Sequence, residues 1–253
     1  MFVFRRLTLL FILMAAPIVN AAQNSIEFST DAIMSAPHQA DRVSKMYVSK
    51  NAVRTEYDMK GQKIIEIVYP EKGKAIMLNP LLKAYKEISF NGKHEVISDS
   101  KTICESMKNA TCKILGEESI DGRKTEKWQI IRYLNGHPVR SLHWIDKKRK
   151  LALREFFPDG TVVELHLVAK EKMNGRKTEK WKRTVSHPDG SQQYSYQWYD
   201  PKLKISIKEE IPGGYVRQLK NIKVSKQKKS LFKAPKEYVK LTSRNASGYN
   251  RPR

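Results

Sequence analysis

The stretch GRKTEKW occurs at residues 122–128 and again, unchanged, at residues 175–181. The likeness continues past the seven identities, because Trp144-Ile145-Asp146 aligns with Trp198-Tyr199-Asp200 after a one-residue slip. Apolar positions further along the two copies also correspond. The repeat therefore indicates a duplicated structural unit, of which GRKTEKW is the best-preserved part.

Each copy contains four short segments rich in β-branched and aromatic residues, a composition typical of strands. Asn135-Gly136 and Pro158-Asp159-Gly160 separate them in the first copy, and such sequences join antiparallel strands through tight turns. Two tandem meanders either extend one sheet or pack as adjoining sheets. The strands predicted for the first copy are Lys124 to Ile131, Arg140 to Ile145, Leu151 to Phe157 and Thr161 to Val168.

The first half of the chain also favours strands, since apolar and polar residues alternate as in a sheet with one wet face. Helix signals are weak and are confined to Asp31 to Gln39 and Ser100 to Lys108. The fold class is therefore mainly β, an antiparallel sheet with one or two short helices. The predicted strands are Ser25 to Met34, Ser44 to Val48, Val53 to Tyr57, Lys63 to Val68, Ala75 to Leu78 and Ala84 to Ile88.

The N-terminus has the layout of a secretory signal peptide. Arg5 and Arg6 precede a compact apolar run, Leu7 to Ala16, and small residues follow up to Ala21. The run is too short to span a bilayer. We expect cleavage after Ala21, export of the chain, and a mature protein that is not an integral membrane protein.

The formal net charge is +22, and such a charge predicts anionic partners rather than a fold. Export argues against nucleic acid as that partner. Anionic lipid head groups, lipopolysaccharide phosphates and acidic wall polymers fit the compartment better. The alternative is a Lys-rich composition shared by all proteins of the organism.

Two cysteines, Cys104 and Cys112, lie close together in an exported chain, which favours a disulfide closing a small loop. A metal site is the alternative, but no His or further Cys lies nearby in the sequence. His143 and His166 lie on predicted strands of the first meander and are placed to approach one another. The histidines show no metal-ligand spacing, and no catalytic motif is present, so we expect no cofactor, no metal and no enzymatic activity.

The four tryptophans form two equivalent pairs across the copies, and two interpretations remain open. They are core residues, or they line an apolar groove for an acyl chain or a peptide. Basic residues recur beside them and are candidates for a surface that holds an anionic group. The candidate ligand-binding residues are Trp128, Trp144, Trp181 and Trp198, and the candidate basic surface is Arg123, Lys124, Lys127, Arg176, Lys177 and Lys180.

Three further stretches carry a family resemblance: SKMYVSKNAVRTEY at 44–57, AIMLNPLLKAYKEI at 75–88 and LKNIKVSKQKKSLFKAPKEYVKL at 219–241. They resemble the LolA/LolB-like superfamily of periplasmic lipoprotein-localisation proteins. The resemblance implies an incomplete β-barrel, a strongly curved antiparallel sheet whose concave side is covered by short helices. It also implies an apolar cavity that takes acyl chains of lipoproteins or other lipids, and related domains occur in envelope-stress sensors.

The expected function is a periplasmic, non-enzymatic carrier of a lipid, an acyl chain or a lipidated protein. The alternative is a basic envelope interaction or stress-sensor module that binds lipopolysaccharide or anionic lipid. The expected organisation is a signal peptide at 1–21, an N-terminal part of the sheet at 22–120, meanders at 121–173 and 174–227, and a C-terminal segment with a basic tail at 228–253.

Overall fold

The computed structural model of the protein describes residues 26–90, 110–134, 136–149 and 151–242. These residues form one sheet of sixteen strands and two short 3-10 helices, Pro70–Lys72 and Lys229–Phe232. The sheet is curved and its two edge strands do not pair with each other. The mainly β class, an open and curved antiparallel sheet with little helix, is therefore confirmed.

The strands of the first half are short and those of the two repeats are longer. Their bounds are β1 Phe28–Ser35, β2 Arg42–Val48, β3 Val53–Met59, β4 Gln62–Tyr69, β5 Lys74–Asn79, β6 Ala84–Ser89, β7 Ala110–Ile120, β8 Arg123–Leu134, β9 His137–Asp146, β10 Ala152–Phe156, β11 Val162–Met173, β12 Arg176–Ser186, β13 Gln192–Asp200, β14 Ile205–Ile211, β15 Tyr215–Val224 and β16 Val239–Lys240.

The strand order across the sheet is β16-β6-β5-β4-β3-β2-β1-β15-β14-β13-β12-β11-β10-β9-β8-β7. The described chain starts in the middle of the sheet and runs outward to β6. It begins again at the opposite edge with β7 and returns inward to β15, which pairs with β1. Neighbouring strands are antiparallel except for β16, which lies parallel to β6. The sheet thus consists of two wings joined side by side at the β1–β15 pair.

The strands of the two repeats, β8 to β11 and β12 to β15, each pair consecutively, and β11 pairs with β12. They therefore extend one sheet rather than form two. The turn before each copy has the same backbone: φ is 50° and 72° at Asp121 and Gly122, and 49° and 75° at Asn174 and Gly175. Positive φ at both central residues is the geometry of a tight hairpin and explains the Asx-Gly sequence.

The short helix expected from Asp31 to Gln39 is wrong. Residues 31–35 belong to β1, where Asp31 pairs with Lys45 on one side and with Lys220 on the other. Strand pairing on both sides supplies backbone partners that a weak local helix signal does not outweigh. The strand β7 was not predicted, and the other helix candidate, Ser100 to Lys108, lies outside the described residues.

The sheet has two faces, because successive side chains alternate and cross-strand partners share a face. Phe28, Val48 and Val53 lie on one face, called here the Phe28 face. Tyr47 and Ile67 lie on the opposite face, called here the Tyr47 face.

The C-terminal segment, residues 225–242, covers part of the Tyr47 face. Phe232 is buried there with Ile67 and other side chains of β4 and β5. Two polar contacts hold the segment: Arg54 Nη1 donates to the carbonyl of Leu231 over 2.8 Å, and the Tyr69 hydroxyl donates to the carbonyl of Phe232. The segment then ends in β16 at the edge of the sheet.

The core on the Phe28 face extends across the junction of the wings. Phe28 and Met46 from β1 and β2 are buried in one cluster with Ile207 and Leu219 from β14 and β15. The cluster consists of residues from strands and from their turns, together with the partly buried Ile26 before β1. Packing on this face therefore depends on the pairing of β1 with β15.

The wing of repeats bends sharply near the short strand β10. The Arg123 guanidinium lies 4.9 Å from the centre of the Trp181 ring, although three strands separate β8 from β12. In a flat sheet these strands would lie about 19 Å apart. His166 Nδ1 and Asp121 Oδ2 are likewise only 2.8 Å apart. The first copy of GRKTEKW thereby contacts the second.

Several predicted features lie outside the described residues: the signal peptide at 1–21, Cys104, and the last part of the basic tail at 243–253. Cys112 is on β7, partly buried against the cluster of Ile130 and Ile145. The disulfide with Cys104 stays a prediction. None of the helices in the described ranges is long and apolar enough to cross a membrane.

We predict that Phe232→Ala lowers the free energy of unfolding by about 3–5 kcal/mol, because it empties a buried aromatic position beneath the C-terminal segment. Urea unfolding followed by tryptophan fluorescence measures the change. Leu81→Ala is the control, since Leu81 is 73% exposed and should cost less than about 0.5 kcal/mol. Equal effects of the two substitutions would show that the segment contributes no packing.

Candidate functional site

The arginine of each GRKTEKW copy forms an ion pair with a buried aspartate at the end of the next strand. Arg123 Nη1 lies 3.0 Å from Asp146 Oδ2, and Arg176 Nε pairs with Asp200 Oδ2. The other oxygen of Asp146 accepts hydrogen bonds from the backbone N–H groups of Lys148, at 2.8 Å, and Arg149, at 3.0 Å. Asp200 Oδ1 accepts from the equivalent turn in the same way.

These bonds fix the ionised form of Asp146. Burial alone would raise the pKa of its carboxyl, but the hydrogen bonds from the turn and from Arg123 outweigh burial and leave the pKa below its usual value. The arginine of the motif thus connects the start of each repeat to the turn after its second strand.

The threonine of the motif is buried in both copies. Thr125 Oγ1 donates to the carbonyl of Glu118 over 2.8 Å, and Thr178 Oγ1 donates to that of Glu171 over 3.0 Å. A buried hydroxyl requires such a partner. The threonine therefore links its strand to the strand before it. Valine would keep the packing of the methyl group but lose the hydrogen bond, and serine would keep the hydrogen bond but lose the methyl group.

The second lysine of the motif lies over the tryptophan of the next strand. Lys127 Nζ is 4.8 Å from the Trp144 ring centre, and Lys180 Nζ is 4.8 Å from that of Trp198. The indole N–H groups of these rings donate to Glu118 and Glu171. A cation held over an indole face is stabilised by the ring quadrupole.

The glutamate of the motif accepts from the motif's own tryptophan. Glu126 Oε2 is 3.3 Å from Trp128 Nε1, and Glu179 Oε2 is 3.2 Å from Trp181 Nε1. Five motif side chains thus have equivalent contacts in both copies, which gives a physical reason for their identity. Only the first lysine, Lys124 or Lys177, is exposed.

The predicted ligand-binding tryptophans are mostly internal. Trp181 and Trp198 are 1% and 4% exposed, Trp144 is buried, and Trp128 is partly buried. The predicted basic surface is divided: Arg123, Arg176, Lys127 and Lys180 have the intramolecular partners described above, while Lys124 and Lys177 face solvent. Their roles toward a ligand stay proposals.

The approach of His143 to His166 is wrong, because the two lie on opposite faces of the sheet. His143 is buried on the Phe28 face, with Nε2 2.8 Å from Ser141 Oγ and Nδ1 3.0 Å from Glu155 Oε1. The three are neighbours along and across strands β9 and β10, and their bonds satisfy the polar atoms of a buried imidazole. His166 faces the other side and pairs with Asp121.

A second buried ionic pair lies on the Phe28 face of the other repeat. Arg217 on β15 and Glu209 on β14 are direct cross-strand partners, with Nη2 2.6 Å from Oε1. Burial raises the pKa of Glu209, against the lowering effect of the Arg217 charge, and burial lowers the pKa of Arg217. Arg217 Nη1 is buried and has no hydrogen-bond partner.

The sequence contains a signal for this pair that was missed. Ile205, Ile207, Glu209 and Ile211 alternate along one strand, so a carboxylate interrupts a row of isoleucines on the core face. Gly213-Gly214 places Arg217 directly opposite that carboxylate across a hairpin. A charge at a core position opposite a complementary charge is informative, because buried charges are paired.

Two more ionisable groups on the Phe28 face lie across β1 and β2 from this pair. Burial raises the pKa of Glu66 on β4, and burial together with the Glu66 charge raises the pKa of Tyr57 on β3. Between them and Arg217 lie the small side chains of Ala32 and Ser44, which are cross-strand partners. The centre of this face thus consists of small side chains, with ionisable groups on either side of them.

Aromatic rings and lysines alternate along one face of β12, β13 and β14. Lys182 Nζ is 4.0 Å from the Tyr194 ring centre, Lys180 Nζ is 5.0 Å from that of Tyr196, and Lys208 Nζ is 4.4 Å from that of Trp198. We call these three lysines with their rings the lysine ladder. In the part of the chain that the structure describes, no three His, Cys, Asp or Glu side chains are grouped to hold a metal.

Residues 31–143 match a protein family described as "Domain of unknown function (DUF4412)". No curated protein matches the chain.

Solved structures with a similar fold include an outer membrane lipoprotein-sorting protein domain from Vibrio parahaemolyticus, with 12% identity, 87% of this chain and 95% of that chain covered, and a TM-score of 0.36. A LolA superfamily protein from Nitrosomonas europaea has 12% identity, 88% and 96% coverage and a TM-score of 0.35. A DUF1329 family protein from Desulfovibrio piger has 14% identity, 87% and 95% coverage and a TM-score of 0.31. The second is named for the superfamily that the sequence motifs resemble.

We predict that Lys180→Ala lowers the free energy of unfolding by about 0.5–2 kcal/mol, because it removes the cation from the buried Trp198 ring. Lys177→Ala, an equal change at an exposed position of the same strand, should cost less than about 0.5 kcal/mol. Chemical unfolding of both variants measures the difference. If Lys177→Ala is as costly as Lys180→Ala, the contacts described here do not account for the identity of the two copies.

Proposed function

We propose that this protein is a non-enzymatic binding protein of the cell envelope that carries a lipid, an acyl chain or a lipidated protein on the Phe28 face. One observation supports this most directly: the apolar surface of that face runs from its buried core to exposed side chains at the end of the β14–β15 hairpin. Ile211 and Tyr215, which are cross-strand partners there, are 42% and 47% exposed.

The distribution of the described chain over the two faces supports the same proposal. Its longest stretch outside the strands, the C-terminal segment, packs on the Tyr47 face. A curved sheet whose second face combines apolar side chains with a few polar groups has the composition of a ligand-binding surface. The basic, apolar and small-residue pattern of residues 5–21 supports a place in the envelope.

We predict that protein purified from the periplasm retains lipid in native mass spectrometry and binds a fluorescent fatty acid. The double variant Ile211→Ser/Tyr215→Ser should bind the fatty acid at least about fivefold more weakly, because two exposed apolar contacts of the Phe28 face are lost. The matched control is Val43→Ser/Phe156→Ser, which removes two exposed apolar side chains of the Tyr47 face and should leave the affinity unchanged.

Absence of lipid in the native spectrum together with no binding of the fatty acid would contradict the proposal. Weakening by the control pair but not by Ile211→Ser/Tyr215→Ser would place the ligand on the other face.

The lysine ladder favours a second candidate function, a basic module that binds an anionic envelope surface. Its three ammonium groups lie on one face of adjacent strands, each within 5.0 Å of an aromatic ring. Aromatic side chains are favourable in the interfacial zone of a membrane, and lysines beside them are attracted to anionic lipid head groups. The formal charge of +22 favours the same partner.

For this candidate we predict binding to vesicles that contain phosphatidylglycerol, with an affinity that falls steeply as salt is raised, because exposed charges are screened. Replacing Lys180, Lys182 and Lys208 together by alanine should weaken binding more than replacing the exposed Lys50, Lys86 and Lys236, which changes the net charge equally. Vesicle co-sedimentation at several salt concentrations measures both. Affinity that does not depend on salt would exclude this function.

A further inference from the structure

The guanidinium of Arg217 has bonding capacity that the protein does not use. Its side chain is 10% exposed and Nη2 contacts Glu209, but Nη1 is buried and has no partner. It is the one buried side-chain nitrogen or oxygen in this condition among the described residues. An unsatisfied buried donor is costly, and in native structures such a group usually has a ligand or water to meet it.

The first repeat shows that packing does not need a cation at this position. Glu155 is the counterpart of Glu209, and its cross-strand partner on β11, in the place of Arg217, is the buried Val163. In that repeat the glutamate is instead bonded to His143 on the opposite neighbouring strand. Arg217 is therefore an addition of the second repeat, and the glutamate in this position can be satisfied without it.

The surroundings of Arg217 suit an amphipathic anion. The next pair along the hairpin on the same face is Ile211 with Tyr215, which is exposed and apolar. Across β1 the partner of Arg217 is Met34, and the small side chains Ala32 and Ser44 follow beside it. A cation thus lies just inside an open apolar edge, beside a stretch of the face where small side chains leave room for an acyl chain.

We propose that Arg217 is the head-group site for the ligand of the Phe28 face: Nη1 donates to a carboxylate or phosphate oxygen of a molecule whose acyl chain lies along Ala32, Ser44 and the Ile211–Tyr215 pair. This inference rests on the proposed carrier function. Glu209 holds the guanidinium by Nη2 and leaves Nη1 for the ligand. A guanidinium suits both oxyanions because its N–H groups are planar and fixed in direction.

The test compares ligands that differ only in the head group. Purified protein is titrated with pyrene-labelled hexadecanoic acid, with the corresponding hexadecanol, and with a pyrene-labelled lysophosphatidic acid. Of the fatty acid and the lysophosphatidic acid, the wild-type protein should bind the preferred one at least about tenfold more tightly than the alcohol. This difference is expected for a charge-assisted hydrogen bond in a buried site. Preference for the acid assigns the site to a carboxylate, and preference for the lysophosphatidic acid assigns it to a phosphate.

The variant is Arg217→Met/Glu209→Gln, which removes the cation without leaving a buried carboxylate alone. It should lose the preference for the anions while its affinity for the alcohol changes less than about twofold. Arg217→Met alone serves as a second variant, with circular dichroism to confirm folding. Arg183→Met, which removes an exposed arginine from the same face, should leave the preference intact.

The results separate this inference from the function on which it rests. If wild type and Arg217→Met/Glu209→Gln bind acid, lysophosphatidic acid and alcohol equally well, the protein carries acyl chains but Arg217 is not the head-group site. If none of the three ligands binds to the wild-type protein, the carrier function itself is wrong, and the inference with it. Loss of the anion preference in Arg183→Met, with Arg217→Met unaffected, would also overturn the assignment.

Discussion

The pairing of β1 with β15 is the interaction on which the rest of the structure depends. The two strands are far apart in the chain, yet they are the only described strands that join the two wings of the sheet. Side chains reinforce the junction: Thr30 Oγ1 donates to the carbonyl of Lys220 over 2.7 Å, and Asn221 Nδ2 donates to Asp31 Oδ2 over 2.7 Å. The core on the Phe28 face contains residues of both wings, so it forms only when β1 and β15 pair in the correct register.

Local sequence patterns predicted the repeat strands well. Asx-Gly and Pro-Asp-Gly turns fix hairpins through backbone preference, and the alternation of side chains between them is a local signal. The strand β7 lacked that signal, since eight of its eleven residues are exposed. The helix expected at Asp31 to Gln39 was wrong for a related reason, because partners from distant strands decide the conformation there. Strand order and the parallel β16 likewise depend on long-range pairing that no local pattern encodes.

The candidate site was harder to predict than the strands. GRKTEKW is prominent in the sequence because it is repeated, but most of its side chains make contacts within the sheet. Arg217 and Glu209 are not repeated as a pair, so comparison of the copies did not reveal them. The two repeats pair the equivalent buried glutamate differently. Glu155 is bonded to a histidine on the preceding strand, and Glu209 is paired with an arginine on the following strand. For the proposed ligand site, the difference between the copies is therefore more informative than their identity.

The position of the C-terminal segment has a consequence for folding. This segment follows β15 in the chain, but it covers strands β4 and β5, which precede it by more than 140 residues. Strand β1 likewise has only one paired edge until β15, residues 215–224, is available to pair with the other. Contacts between such distant parts of a chain raise the contact order and slow folding. The wing of β1 to β6 therefore cannot complete its packing until residues 215–242 have been synthesised, so completion of the fold is a late and cooperative event.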